Sequence, residues 1–170
     1  LAAERGADVV HPFDDPRVMA GQGTVGLELM AQSADVGAEP DAVLVCTAGG
    51  GLLSGVAVAV KAARPETSVH SVEPVRFDDF ARSLAAGDRL QNVARSGSIC
   101  DALLVDQPGV LTFDVARELC GPGLVVTDEE AAEAVRFAFL ELKLVLEPGG
   151  AVALAAVLFH RDRIKGDAVI

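Results

Sequence analysis

The residues best placed to do chemistry form a loop, Cys46-Thr47-Ala48-Gly49-Gly50-Gly51-Leu52-Leu53-Ser54-Gly55. Three glycines between a buried strand and a helix let the backbone turn sharply and approach a ligand closely. The first N–H groups of the helix have no internal partners and carry partial positive charge, so a phosphate fits there. Which phosphate is not fixed by the loop itself. No Gly-Lys-Ser/Thr follows, and position 54 is Ser54, so neither a P-loop nor a dinucleotide fingerprint is present. The plain alternative is a tight turn where strand and helix pack closely.

A second group is Glu73-Pro74-Val75-Arg76-Phe77-Asp78-Asp79. Clustered carboxylates can gather hard oxygen ligands for Mg²⁺ or Ca²⁺. By spacing alone the better reading is a solvated loop with Asp78 or Asp79 capping the next helix. Asp14-Asp15 has the same ambiguity, with the solvated reading stronger still. Glu147 precedes Pro148-Gly149-Gly150, where a helix break can turn a carboxylate towards a pocket. His11, His70 and His160 show no metal-ligand spacing and read as surface or packing residues. Lys61 and Lys143 fall on expected helices, as solvated side chains.

The elements that must position these groups alternate between strand and helix. Ala42–Cys46 is a short apolar run, as in a strand buried on both faces. The glycine loop and a helix over Leu52–Ala63 follow, and Pro65 closes that helix. Ser68–Val72 reads as a strand and Asp78–Ala86 as a short helix closed by Gly87. Leu124–Val126 is a further strand. Thr127 with Glu130 fits a capping box that opens a helix running to about Leu146, where Pro148 stops it. Gly149-Gly150 opens a last helix, Ala151–His160. Thr24 is expected to cap a helix over Val25–Met30. The region 87–123 is the least regular and reads as loops around a site. The pattern predicts an α/β fold, an open, mostly parallel sheet flanked by helices.

The totals set limits. The chain has 170 residues, 51% of them hydrophobic, which suffices for one core. Aromatics are scarce, so that core is built from Ala, Val and Leu. The formal net charge of −11 opposes binding to nucleic acid or to anionic membranes. No apolar run approaches the roughly 18 residues of a membrane span. Cys46, Cys100 and Cys120 form no disulfide framework and no CxxC pair, which points to a reducing, cytoplasmic compartment. The chain opens on Leu1 and closes on what looks like the start of a strand, Asp167–Ile170. Residues 1–170 are therefore expected to be a single partial domain cut at both ends.

Taken together, these segments resemble the threonine/serine dehydratases, pyridoxal-phosphate enzymes of the tryptophan-synthase-β fold type. The stretch from His11 to Thr24, the 46–55 loop, Val72-Glu73-Pro74 with Asp78-Asp79, Ser98-Ile99-Cys100-Asp101, and Leu144–Ala155 recur in the family order and cover nearly the whole chain. The resemblance implies α,β-elimination, taking threonine to 2-oxobutanoate and ammonia, or serine to pyruvate and ammonia. It assigns Thr47, Ala48, Gly49, Gly50, Gly51 and Leu52 to the cup for the phosphate of pyridoxal 5'-phosphate (PLP). Ala48 stands where many members have glycine. Asp101 and Ala102 match a loop near the cofactor ring, and Glu147 a carboxylate on the pocket side. Glu73, the Phe77 carbonyl and Asp79 match the divalent-cation site of related serine racemases, and the resemblance turns the reading of that loop towards Mg²⁺ or another divalent cation. Lys143 matches a contact in relatives that bind ATP between subunits.

The family's Schiff-base lysine lies in a Ser-Phe-Lys type motif, and no such motif occurs here. The resemblance therefore supplies the phosphate cup and cation loop but no catalytic residue, and elimination by this chain alone is not expected. The implied partners are a small amino-acid substrate, threonine or serine, and further copies of the chain, since the family is commonly dimeric or tetrameric. A serine racemase-like enzyme and a non-catalytic phosphate-binding remnant are the alternatives.

Overall fold

A computed structural model describes residues 2–170, the side chain of residue 3 excepted. Helix α1 spans Ala2–Arg5 and α2 Pro16–Asp35; strand β1, Ala42–Cys46, leads into α3, Gly51–Ala63. Strand β2 covers Ser68–Pro74, α4 Asp79–Ala86 and α5 Val110–Leu119. Strand β3, Leu124–Val126, precedes α6, Asp128–Phe137, and α7, Pro148–Phe159. The sheet is parallel in the order β1-β2-β3. The segment 168–170 lies on the other side of β1, joined by a parallel bridge between Ala42 and Val169. The Ile170 carbonyl accepts from Leu44 at 2.7 Å. The expected α/β fold with an open parallel sheet is what the chain forms.

Alternation along β1 divides the core. Ala42 and Leu44 face one cluster with Ala131 and Ala134 of α6 and Val152, Ala155 and Ala156 of α7. Val43 and Val45 face the other, with Leu53, Val56 and Val60 of α3 and Phe113 of α5. Both faces are covered by helices, which is why β1 is apolar throughout. The small residues have a packing use. A side chain at Gly55 would strike the backbone of Met19 and Gly23, so this glycine in mid-helix lets α3 press against α2.

Several boundaries differ from the sequence expectation. Helix α2 begins at Pro16, capped by Asp15, so Thr24 is not a cap. Thr24 sits in mid-helix with its hydroxyl on the Gly21 carbonyl at 2.7 Å. The stretch 87–123 is not all loop, because it contains α5 and a short 3₁₀ turn, Asp101–Leu103. The helix opened by Thr127 does carry the full capping box, but it ends at Phe137 instead of Leu146. A π-turn over Ala138–Leu142 unwinds it, and Lys143 takes a left-handed conformation at φ +61°. Phe139, Leu140, Leu142, Leu144 and Val145 beyond it are exposed, so no packing holds the helix onward. Pro148 is the first residue of α7 and not a stop, since proline lacks the N–H that the first turn leaves unbonded. No described helix is long and apolar enough to cross a membrane.

The cap on α2 has a pH signature. Asp15 accepts from the Arg17 amide at 2.8 Å and from its guanidinium at 2.9 Å. The side-chain hydrogen bond from Arg17 comes first among the effects that hold the Asp15 carboxyl down to about 2, against its ordinary 3.8. A carboxyl lowered on folding stabilises the fold above its unfolded pKa and loses that contribution as pH falls through the folded one. Melting temperature followed down from about pH 4 to 2 is therefore expected to fall less in Asp15→Asn than in the unaltered protein.

Candidate functional site

In open α/β sheets, ligands bind in the crevice outside the carboxyl ends of the strands. Here β1 ends at Cys46 and its loop turns directly into α3. Gly50 stands before the helix at φ +93° and offers no side-chain cap. A side chain there would strike the ring of Phe80 and crowd Thr112, and one at Gly49 would strike the ring of Phe13. Both positions therefore require glycine, Gly50 by conformation and Gly49 by close approach. The amides of Ala48, Gly49 and Gly50 find no acceptor among the described residues. The next two, Gly51 and Leu52, open the first turn of α3 and have no intrahelical acceptor. The residues that carry these free N–H groups line one wall of a cavity of about 390 Å³.

Every residue from Cys46 to Leu53 lines that cavity. Pro12, Phe13 and Gln22 enclose one side, and Ala102, Leu103 and Val105 face the loop. Of the residues singled out from sequence, Thr47, Ala48, Gly49, Gly50, Gly51, Leu52 and Ala102 come together here. Asp101 and Glu147 are exposed and lie outside the lining. Glu147 is nevertheless near, because its charge helps burial to raise the Cys46 thiol above its ordinary value. The Cys46 thiol lies 3.5 Å from the Gly150 carbonyl, at the start of α7.

The loop is held from behind. The Gly49 carbonyl accepts from the Gly109 amide at 3.1 Å and from the Thr112 hydroxyl at 2.6 Å. Thr112 in turn accepts from the Ser54 hydroxyl at 2.8 Å through its own carbonyl. Helix α5, which carries Thr112, has no side-chain cap of its own. Asp14 supplies one from the opposite end of the sequence, accepting from Val110 at 3.0 Å, Leu111 at 2.8 Å and Thr112 at 3.3 Å. The sequence carried no local sign of this, since the partners stand nearly a hundred positions apart.

The acidic loop lies at the end of β2, beside the glycine loop. Glu73 and Asp79 are both fully buried. Neither Asp78 nor Asp79 caps α4. Glu73 does, accepting from Phe80 at 2.9 Å and Ala81 at 2.7 Å. Burial, and then the charge of Asp79, push the Glu73 carboxyl well above its ordinary range. Burial likewise pushes Asp79 up to about 6, although a hydrogen bond from Asn92 works against it. That bond, at 2.5 Å, serves Oδ1, while Oδ2 of Asp79 is buried without a partner. Phe77 lies in the turn between the two carboxylates, its amide on the Pro74 carbonyl at 3.0 Å. Among the described residues, no three His, Cys, Asp or Glu side chains gather as a metal site.

The whole chain, residues 1–170, matches the family described as pyridoxal-phosphate dependent enzyme. An L-threonine ammonia-lyase of Thermotoga maritima is 42% identical over 169 residues, covering 99% of this chain and 41% of that protein. A serine racemase of Dictyostelium discoideum is 36% identical, covering 98% of this chain and 50% of its own. The crystal structure of a threonine deaminase from T.th. superposes with a TM-score of 0.95 at 46% identity, over 99% of this chain and 60% of that one. The chain thus spans about half the length of the curated relatives it matches.

The Asp14 cap can be tested for its energy. Replacing an N-cap acceptor by alanine typically costs about 1 kcal/mol, and up to about 2 in proteins. Asp14→Ala leaves three amides of α5 without an acceptor and is expected at the upper end of that range, measured by urea denaturation.

Proposed function

The chain belongs to the pyridoxal-phosphate dependent enzymes, and on that premise we propose that it serves a threonine/serine ammonia-lyase, acting on L-threonine to give 2-oxobutanoate and ammonia. The observation that carries this reading is the uncapped N-terminus of α3, wrapped by the glycine loop around a cavity. The residues present fit PLP. The free amides from Ala48 to Leu52 offer the donors that a phosphate needs, on a loop that glycine at 49 and 50 lets pack against the rings of Phe13 and Phe80. When bound, the pyridine ring withdraws the electron pair released at the substrate's Cα. The chain's own part is to bind and to orient. The amides of the cup would fix the phosphate, and Ala102, Leu103 and Val105 would form the facing wall.

None of the three lysines lines the cup. Lys61 donates to the Pro65 carbonyl at 2.9 Å, Lys143 donates to the Leu140 carbonyl, and Lys165 lies at a different cavity beside His70. For this reason the 170-residue chain by itself is expected to form no keto acid from threonine. Glu73, Asp79 and the carbonyl of Phe77 are read as a divalent-cation site, supported by the unpartnered Oδ2 of buried Asp79.

A serine racemase is the second reading, favoured by the similarity to the Dictyostelium racemase. The two separate in one assay on the intact protein with added PLP. Threonine should yield 2-oxobutanoate faster than L-serine yields D-serine. D-serine as the only product would replace the first reading by the second, and no turnover of either substrate would leave a non-catalytic phosphate-binding module. The cation has its own readout: Mg²⁺ at neutral pH should raise the melting temperature of the intact protein, and Asp79→Asn should abolish the rise.

A further inference from the structure

We infer that Thr112 is a positioning residue for the phosphate cup, acting through the carbonyl of Gly49. This deepens the reading above and rests on it. A peptide unit is planar, so fixing the carbonyl of Gly49 also fixes the N–H of Gly50 on the other side of the same bond. That carbonyl is gripped by two donors from α5 and its approach, the Thr112 hydroxyl at 2.6 Å and the Gly109 amide at 3.1 Å. The grip matters because the loop can turn otherwise. Gly50 lies at φ +93°, and glycine has no side chain to restrict rotation of the peptide before it. A rotation there would turn a carbonyl oxygen towards the cup where an N–H now stands, placing an acceptor against an anion.

Thr112 is well placed to prevent this. Its side chain is fully buried and packs where a Cβ of Gly50 would lie. Its own carbonyl accepts from Ser54, in the first turn of α3, at 2.8 Å. Its amide is held by Asp14 at 3.3 Å. The residue therefore bridges the front of α3, the cup and the capped end of α5. It lines no part of the cavity itself and so would not touch a bound ligand.

The test separates a positioning role from a merely structural one by the ligand's phosphate. Affinities of the intact protein for PLP and for pyridoxal, which lacks the phosphate, are measured by equilibrium dialysis. Thr112→Val keeps the shape and removes the donor. Loss of one neutral hydrogen bond's worth of alignment corresponds to about fivefold. PLP affinity is expected to fall by about that factor, with pyridoxal affinity unchanged, and Thr112→Ser is expected to restore it. Thr112→Ala, which cannot crowd its neighbours, is run in parallel and should show the same selective loss if the valine variant does not fold. Equal losses for PLP and pyridoxal, or a PLP-to-pyridoxal ratio unchanged in both variants, would overturn the inference while leaving the cup intact. An unaltered protein that binds PLP no better than pyridoxal would instead overturn the phosphate-cup reading, and this inference with it.

Discussion

An α-helix leaves its first N–H groups without partners, and the carboxyl edge of this sheet is organised around how that deficit is met. Helices α3, α4, α5 and α6 begin there in succession. Helix α4 is closed by Glu73, α5 by Asp14, and α6 by the reciprocal box of Thr127 and Glu130. Of these four, α3 alone has no side chain over its end; α7, which starts beside Cys46, opens on Pro148 and has no side-chain cap either. The same dipole that draws carboxylates to the other three is left open at α3 to a ligand's negative charge. In a protein of net charge −11, an anionic ligand needs such a local donor array to overcome the general repulsion.

The caps also tie the edge together. Glu73 holds the amide of Phe80, whose ring lies where a side chain on Gly50 would be. Asp14 holds the turn of α5 that reaches the carbonyl of Gly49. Arg89 grips the carbonyl of Pro108 at 2.6 Å, just before the Gly109 amide that meets the same carbonyl of Gly49. Ser98 and Ile99 are anchored on Asp128, at 2.6 and 3.2 Å, and the 3₁₀ turn that presents Ala102 follows them. Most residues that shape the cup therefore never face it.

This explains what was legible in the sequence and what was not. Strands β1 and β3 appear with the bounds their branched apolar runs implied, and the capping box is in place, because these signals are local. The glycine loop was legible for the same reason. The end of α6 was not. Residues 138–146 keep a helical composition, but Phe139, Leu142 and Val145 are exposed and bury no face that would hold the helix together. Thr112 and Asp14 look like an ordinary helix residue and a solvated loop carboxylate. Their roles come from contacts across 63 and 98 positions, which no window along the chain reveals.

The acidic loop shows a local reading that was right about the need and wrong about the residue. A cap for α4 was expected from Asp78 or Asp79, and it comes from Glu73, in the strand before the helix. Freed from that task, Asp79 is turned inward, where Asn92 satisfies one oxygen and nothing satisfies the other. Two carboxyls raised by burial at one spot is an arrangement that costs stability unless protons or a cation neutralise it. Perturbed pairs of this kind concentrate at functional sites. Phe80 stands between this pair and the glycine loop, with its amide on one and its ring against the other. The first turn of α4 therefore joins the acidic pair to the back of the cup.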